Sequence, residues 1–120
     1  MKFMLISYDD EQAWIDAGDA AHKAAMNEAV QLSHDIHRKG QYILAQPLHH
    51  SSTAKCLRIR NGKRIVTDGP FAETREVIGG FYLIDVKDME EAIEIAARHP
   101  GLRFGAVEIR QVLDLPGLPE

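Results

Sequence analysis

The sequence predicts an α+β fold in which one antiparallel sheet carries two helices on a single face. Three observations predict it. Two runs, residues 2–8 and 80–86, are apolar on both alternating faces, as strands covered on both sides are. Two longer segments, 19–40 and 88–99, carry apolar residues at helical spacing between start and stop signals. Between these halves lies Asn61-Gly62, flanked by two short strand-forming runs, which is the strongest local signal for a two-residue hairpin turn.

The elements follow in order. Residues 2–8 form the first strand, and 9–18 break its pattern with acids and a glycine, so they read as a loop. Asp19 opens a helix whose apolar positions include Ala25, Ala29, Leu32 and Ile36, and Gly40 ends it as a C-cap. A short second strand, 41–45, is closed by Pro47 and by the polar loop 49–53. Residues 56–60 and 63–67 make the hairpin, and 80–86 the next strand. Asp88, with Glu91 three residues on, caps a helix with Met89, Ala92, Ile93, Ala96 and Ala97 as its buried stripe. His99-Pro100-Gly101 stops that helix, and 106–112 alternate as a last strand.

This βαβ, β-hairpin, βαβ order is the ferredoxin-like plan, with both helices on one face of the sheet. The central strands nevertheless supply apolar side chains to both faces: Phe3 and Leu5 against Met4 and Ile6, Tyr82 and Ile84 against Phe81 and Leu83. A second copy, sheet against sheet, is the economical cover, because an exposed apolar patch beyond roughly a few hundred Å2 is unusual in a soluble monomer. The expected assembly is a homodimer.

A chain of 120 residues leaves room for one domain with its own core, here taken as 1–120. Its apolar share of 45% and charged share of 27% are those of a globular protein. With 14 basic residues scattered among 18 acids and a net charge of -4, there is no clustered basic surface for nucleic acid. The single cysteine, Cys56, cannot form an internal disulfide and suits a reducing compartment. The start MKFMLISYDD has neither the length nor the flanks of a signal peptide, and no apolar run approaches the ~20 residues that span a bilayer. No membrane association and a cytoplasmic location are expected.

Chemistry-bearing residues concentrate in two places. Residues 67–80 read TDGPFAETREVIGG, where Asp68, Glu73 and Glu76 lie close together with Thr74 and Arg75 beside them. Neighbouring carboxylates can raise one another's pKa and work as an acid/base pair, can bind a divalent cation, or can be solvated turn residues, Asp-Gly-Pro being ordinary turn chemistry. The six histidines are His22, His34, His37, His49, His50 and His99. Histidine titrates near neutrality, so any that lines a cavity can move protons. His22 stands near the start of the first helix and His49 in a polar loop, whereas His34 and His37 share a helix face without a third metal ligand placed by sequence. No phosphate-cradling loop, nucleophile elbow or cysteine pair appears, so neither a metal nor a cofactor is expected.

The TDGPFAETREVIGG segment resembles the signature of the YCII-related family, DGPF branch, and the resemblance extends through GGFYLIDV, EEAIEIAARHP and AVEIRQV. It implies a dimeric α/β barrel with a pocket between sheet and loops. A distant relative removes chloride from a chlorinated hydroxyquinone, and the branch often neighbours genes for extracytoplasmic-function sigma factors. Members are thought to use a histidine and an aspartate in the pocket. By position these map to His22 and Asp9, with Asp68 as a further catalytic candidate and Tyr8, His49, Phe71, Glu73, Thr74 and Glu76 as pocket candidates. The chain departs from the family pattern at Arg75, where lysine is frequent, and at His50, where proline is frequent.

Two functions follow. One is a pocket protein for an unknown small molecule, with His/Asp acid–base catalysis of a lyase- or hydrolase-like kind. The other is a non-catalytic binding or regulatory module linked to sigma-factor systems.

Overall fold

The computed structural model describes residues 1–71 and 74–119, so the expectation placed on Glu73 lies outside the described residues. Strand β1 (Lys2–Asp10) points Phe3, Leu5 and Ser7 to one face and Met4, Ile6 and Tyr8 to the other. It runs between β5 (Glu76–Asp85) and β6 (Gly105–Gln111), and β2 (Tyr42–Pro47) pairs with the outer edge of β5. All three pairings are antiparallel, giving the order β2-β5-β1-β6. The fold is therefore α+β on an antiparallel sheet, and its strand order is consistent with the ferredoxin-like plan. Pro47, which has no N–H to donate, sits on an edge strand, where that loss costs little.

Helices α2 (Asp19–Arg38) and α3 (Met89–Ala96) fill one face of the sheet. The core joins Phe3, Leu5, Tyr82 and Ile84 from the strands to Leu32 and Ile36 of α2 and to Ala92, Ile95 and Ala96 of α3. Phe3, Leu5, Ile36 and Ile84 are almost wholly excluded from water, each contributing about 1.5–3 kcal/mol of transfer free energy. The helix ends behave as their residues dictate. Asp88 accepts a hydrogen bond from the Glu91 amide at 2.9 Å, and Gly40 follows the end of α2 at φ 73°, donating its N–H to His37.

Three expectations are corrected. Residues 9–18 are not a loop: β1 continues to Asp10, and Glu11–Ala17 form a helix, α1. Asp10 is its N-cap, accepting from the Ala13 amide at 3.1 Å, and Gly18 is its C-cap at φ 94°. The acid and the glycine that signal a loop are the two ends of one short helix. In α3 the buried positions are Ala92, Ile95 and Ala96, while Met89, Ile93 and the following Ala97 are exposed. The strand expected from residue 80 begins at Glu76, so half of the signature segment is sheet rather than loop.

The hairpin forms as expected around Asn61 and Gly62, whose φ of 50° and 74° give the two positive values a tight hairpin turn requires. Its strands, β3 (Lys55–Arg60) and β4 (Lys63–Asp68), do not join the main sheet but make a two-stranded sheet of their own. Leu57, Ile59 and Val66 on one of its faces are each more than half exposed. Among the described residues no helix is long and apolar enough to cross a membrane.

Candidate functional site

At the far end of β1 from the core, large side chains give way to small and polar ones, and a cavity of about 590 Å3 opens between sheet and helices. Its floor is Ser7 and Asp9 of β1 with Gly79, Gly80 and Tyr82 of β5. The α2 wall presents His22, Ala25, Met26, Ala29 and Val30. Trp14 and Glu11 of α1 and the loop Leu48-His49-His50 close one side, His99-Pro100-Gly101 the other.

Asp9 owes its position to a bulge in β5. The register passes from Ser7 opposite Gly80 to Tyr8 opposite Ile78, leaving Gly79 without a partner on β1. A β-carbon on Gly79 would fall 1.7 Å from Asp9 Oδ2, so only glycine leaves room for that carboxyl group. The Asp9 carboxyl is half-buried, and burial pushes its pKa up, with Glu11 and Glu76 adding to the rise and His22 opposing it. Among the described residues its side chain makes no hydrogen bond.

His99 faces Asp9's surroundings from the opposite wall. Its Nδ1 accepts the Gly101 N–H at 2.9 Å, which assigns the neutral ring's proton to Nε2. Burial pulls its pKa down and holds the ring neutral, and the ring packs edge-on against Tyr82 at 5.5 Å. Tyr82 donates its hydroxyl to the Ala29 carbonyl at 2.6 Å, and burial, with Tyr42 adding to it, raises its pKa to about 12. Tyr82 is therefore a wall and not an acid near neutrality.

His22 is exposed at the cavity mouth, its ring 5.9 Å from Trp14, which in turn stands edge-on to Phe104 at 4.7 Å. Glu11 ties α1 to the loop after β2: it accepts from the Ser51 amide at 2.8 Å and from the Ser51 hydroxyl, with His50 Nε2 3.5 Å away.

A comparison with family models matches the YCII-related domain over residues 1–116. This chain belongs to the YCII-related family. An uncharacterized protein of Rhizobium meliloti (strain 1021) is 33% identical over 99 residues, covering 80% of this chain and 77% of the relative.

In this YCII-related domain Asp9, His22 and His49 line one cavity. Asp68 does not. Its carboxylate is exposed at the open end of the hairpin, ion-paired with Lys55, beside a shallower cleft that also takes in Thr74 and Arg75. Tyr8 points to the opposite face of the sheet and donates to Glu108 Oε1 at 2.9 Å, because strand alternation separates it from Asp9. Phe71 is exposed, with the Arg58 guanidinium 4.6 Å from its ring centre. Glu76 lies on the surface and reaches the cavity only through its charge on Asp9. Arg75 donates to Asp10 at 2.6 Å; the Ala13 amide first, and Arg75 after it, hold Asp10 below the usual carboxylate range.

The sequence reading missed His99, Glu11, Trp14 and Tyr82. His99 reads as a helix stop ahead of Pro100, and Glu11 and Trp14 fall in the segment taken for a loop. The unused signal was Asp10 as an N-cap, which would have put Glu11 and Trp14 on one helix beside the strand end.

Proposed function

We propose that this YCII-related protein, with its DGPF-type signature, is a small-molecule pocket protein in which Asp9 and His22 exchange protons with the bound molecule in a lyase- or hydrolase-like reaction. The observation that carries this reading is Asp9: a half-buried carboxyl group, pushed toward neutrality, without a hydrogen bond among the described residues and facing a cavity of ligand size. His22, whose positive charge would draw Asp9 back toward ionisation, is the natural proton partner, and His49 contacts the ligand. The neutral His99 offers its Nε2–H as a fixed donor.

The working unit in this reading is a homodimer of the dimeric α/β barrel kind. The sheet face away from the helices carries Met4, Ile6, Phe81 and Leu83, only half-buried, with Leu44 exposed beside them. A second sheet would bury that strip. Light scattering at micromolar concentration should give twice the chain mass; a monomer removes the barrel.

The pocket itself is tested by soaking crystals in a mixture of small polar and aromatic molecules. Density framed by Asp9, His22 and His99 is the expected result. A solvent-filled cavity, with density at other sites or nowhere, would shift the reading to a module that works through a protein partner.

A further inference from the structure

Resting on that reading of the cavity, its lining limits what kind of molecule it takes. Among the described residues, no lysine or arginine lines it, while three acids do: Asp9, Glu11 and Asp19. Sites for carboxylates and phosphates are ordinarily built on Arg forks, Lys or converging N–H groups. The features here that favour an anion are the His99 Nε2–H and the start of α2, with Gly18 and Asp19 at the cavity mouth. A helix start is worth roughly half a positive charge, already met by Asp19 in its first turn. Two further carboxyl groups outweigh it.

The acids differ in availability. Glu11 is engaged by Ser51, and Asp19 is exposed at the rim. Among the described residues, Asp9 is the acid that faces the interior with no hydrogen bond, so its two oxygens are free for donors on the ligand. Around it the walls are apolar and aromatic: Trp14, Met26, Val30, Leu48 and Tyr82. Such a surface favours an apolar body, and ring faces also attract cations.

We propose that this cavity recognises an organic cation, a protonated amine on a small apolar or aromatic body. The ammonium group donates to Asp9, and the body lies along α2 against Trp14, Met26 and Val30.

Three probes with one phenyl-alkyl skeleton test the charge: 2-phenylethylamine, 2-phenylethanol and 3-phenylpropanoate. Binding to the full chain is measured by calorimetry near pH 8, where an alkylammonium and a carboxylate are charged and imidazole is ordinarily neutral. The amine is expected to bind at least about tenfold more tightly than the acid, as one charge-assisted contact in a partly desolvated site implies. Asp9→Asn should erase its preference over the alcohol. Should that variant fail to fold, added salt is the substitute, weakening the amine and leaving the alcohol unchanged.

The proposal is overturned if the acid binds as tightly as the amine, or if the preference survives Asp9→Asn. It is equally overturned if none of the three binds. In that last case the crystal soak decides separately whether the cavity takes small molecules at all.

Discussion

The two halves of β1 share one face and do opposite things with it. Phe3 and Leu5 are 1% and 2% exposed and sit in the packed core. Ser7 and Asp9, the next two side chains on that face, floor a cavity. The opposing strand changes in step, from Ile84 and Tyr82 to Gly80 and the bulged Gly79. The site is thus made by withdrawing volume from a continuous sheet while the strand pairing continues. Backbone hydrogen bonds hold the carboxyl group where a side-chain core no longer can.

Substitutions along this line should separate the two halves. The largest effect is expected at the packed end: Leu5→Ala should cost about 2–5 kcal/mol in urea unfolding, and a loss under about 1 kcal/mol would mean this end is not the anchor. Gly79→Ala comes next. Its methyl group must displace the Asp9 carboxyl, so a loss of about 1–3 kcal/mol should accompany loss of ligand density at Asp9 in the soaked crystal.

His99→Ala follows, at about 1–2 kcal/mol, and its pH signature is more telling than its size. The folded pKa of His99 lies below its unfolded value, so the stability it confers is complete above about pH 6.5 and is lost as pH falls through the folded value. Melting curves of the variant should lack that part of the acid slope.

The smallest effect has the opposite sign. Burial raises the folded pKa of Asp9, so its contribution is complete below about pH 4 and is lost as pH rises through the folded value. Asn cannot ionise. Asp9→Asn should therefore melt slightly higher than the parent at neutral pH, with the gain vanishing below about pH 4. A variant that melts lower at neutral pH would mean that Asp9 has a stabilising partner.

The fold was legible where local chemistry decides it. Runs apolar on both faces marked the two central strands, alternation the last one, Asn61-Gly62 the hairpin and Asp88 the start of α3. It was illegible where one residue type carries two meanings. Asp10 and Gly18 punctuate a loop and a seven-residue helix equally well, and α1 has no buried residue to leave an apolar stripe. The buried side of α3 fell one position away because the sheet, and not the helix, decides which of Ile93 and Ile95 faces inward.

For the site, the family resemblance pointed by position to Asp9, now near the end of β1, and to His22 near the start of α2. That they face His99 could not be read off the chain, since this depends on packing between the two halves of the fold. Nor could the hairpin's separation from the main sheet, which carries Asp68 away from Asp9, because strand propensity does not say which strands will pair.

The position of β1 at the centre of the sheet sets the order in which the chain can assemble. Its partners are β5 and β6, and Met4 lies opposite Leu83 and Arg110. As synthesis proceeds, the first apolar strand emerges with nothing to pair against, while α2 and the hairpin close over short spans of chain. The floor of the cavity comes together only when β5 arrives and pairs with β1, and such long-range closure slows folding relative to local contacts. Until then the run from Phe3 to Tyr8 is an unpaired apolar strand, the stretch that a nascent-chain chaperone would be expected to shield.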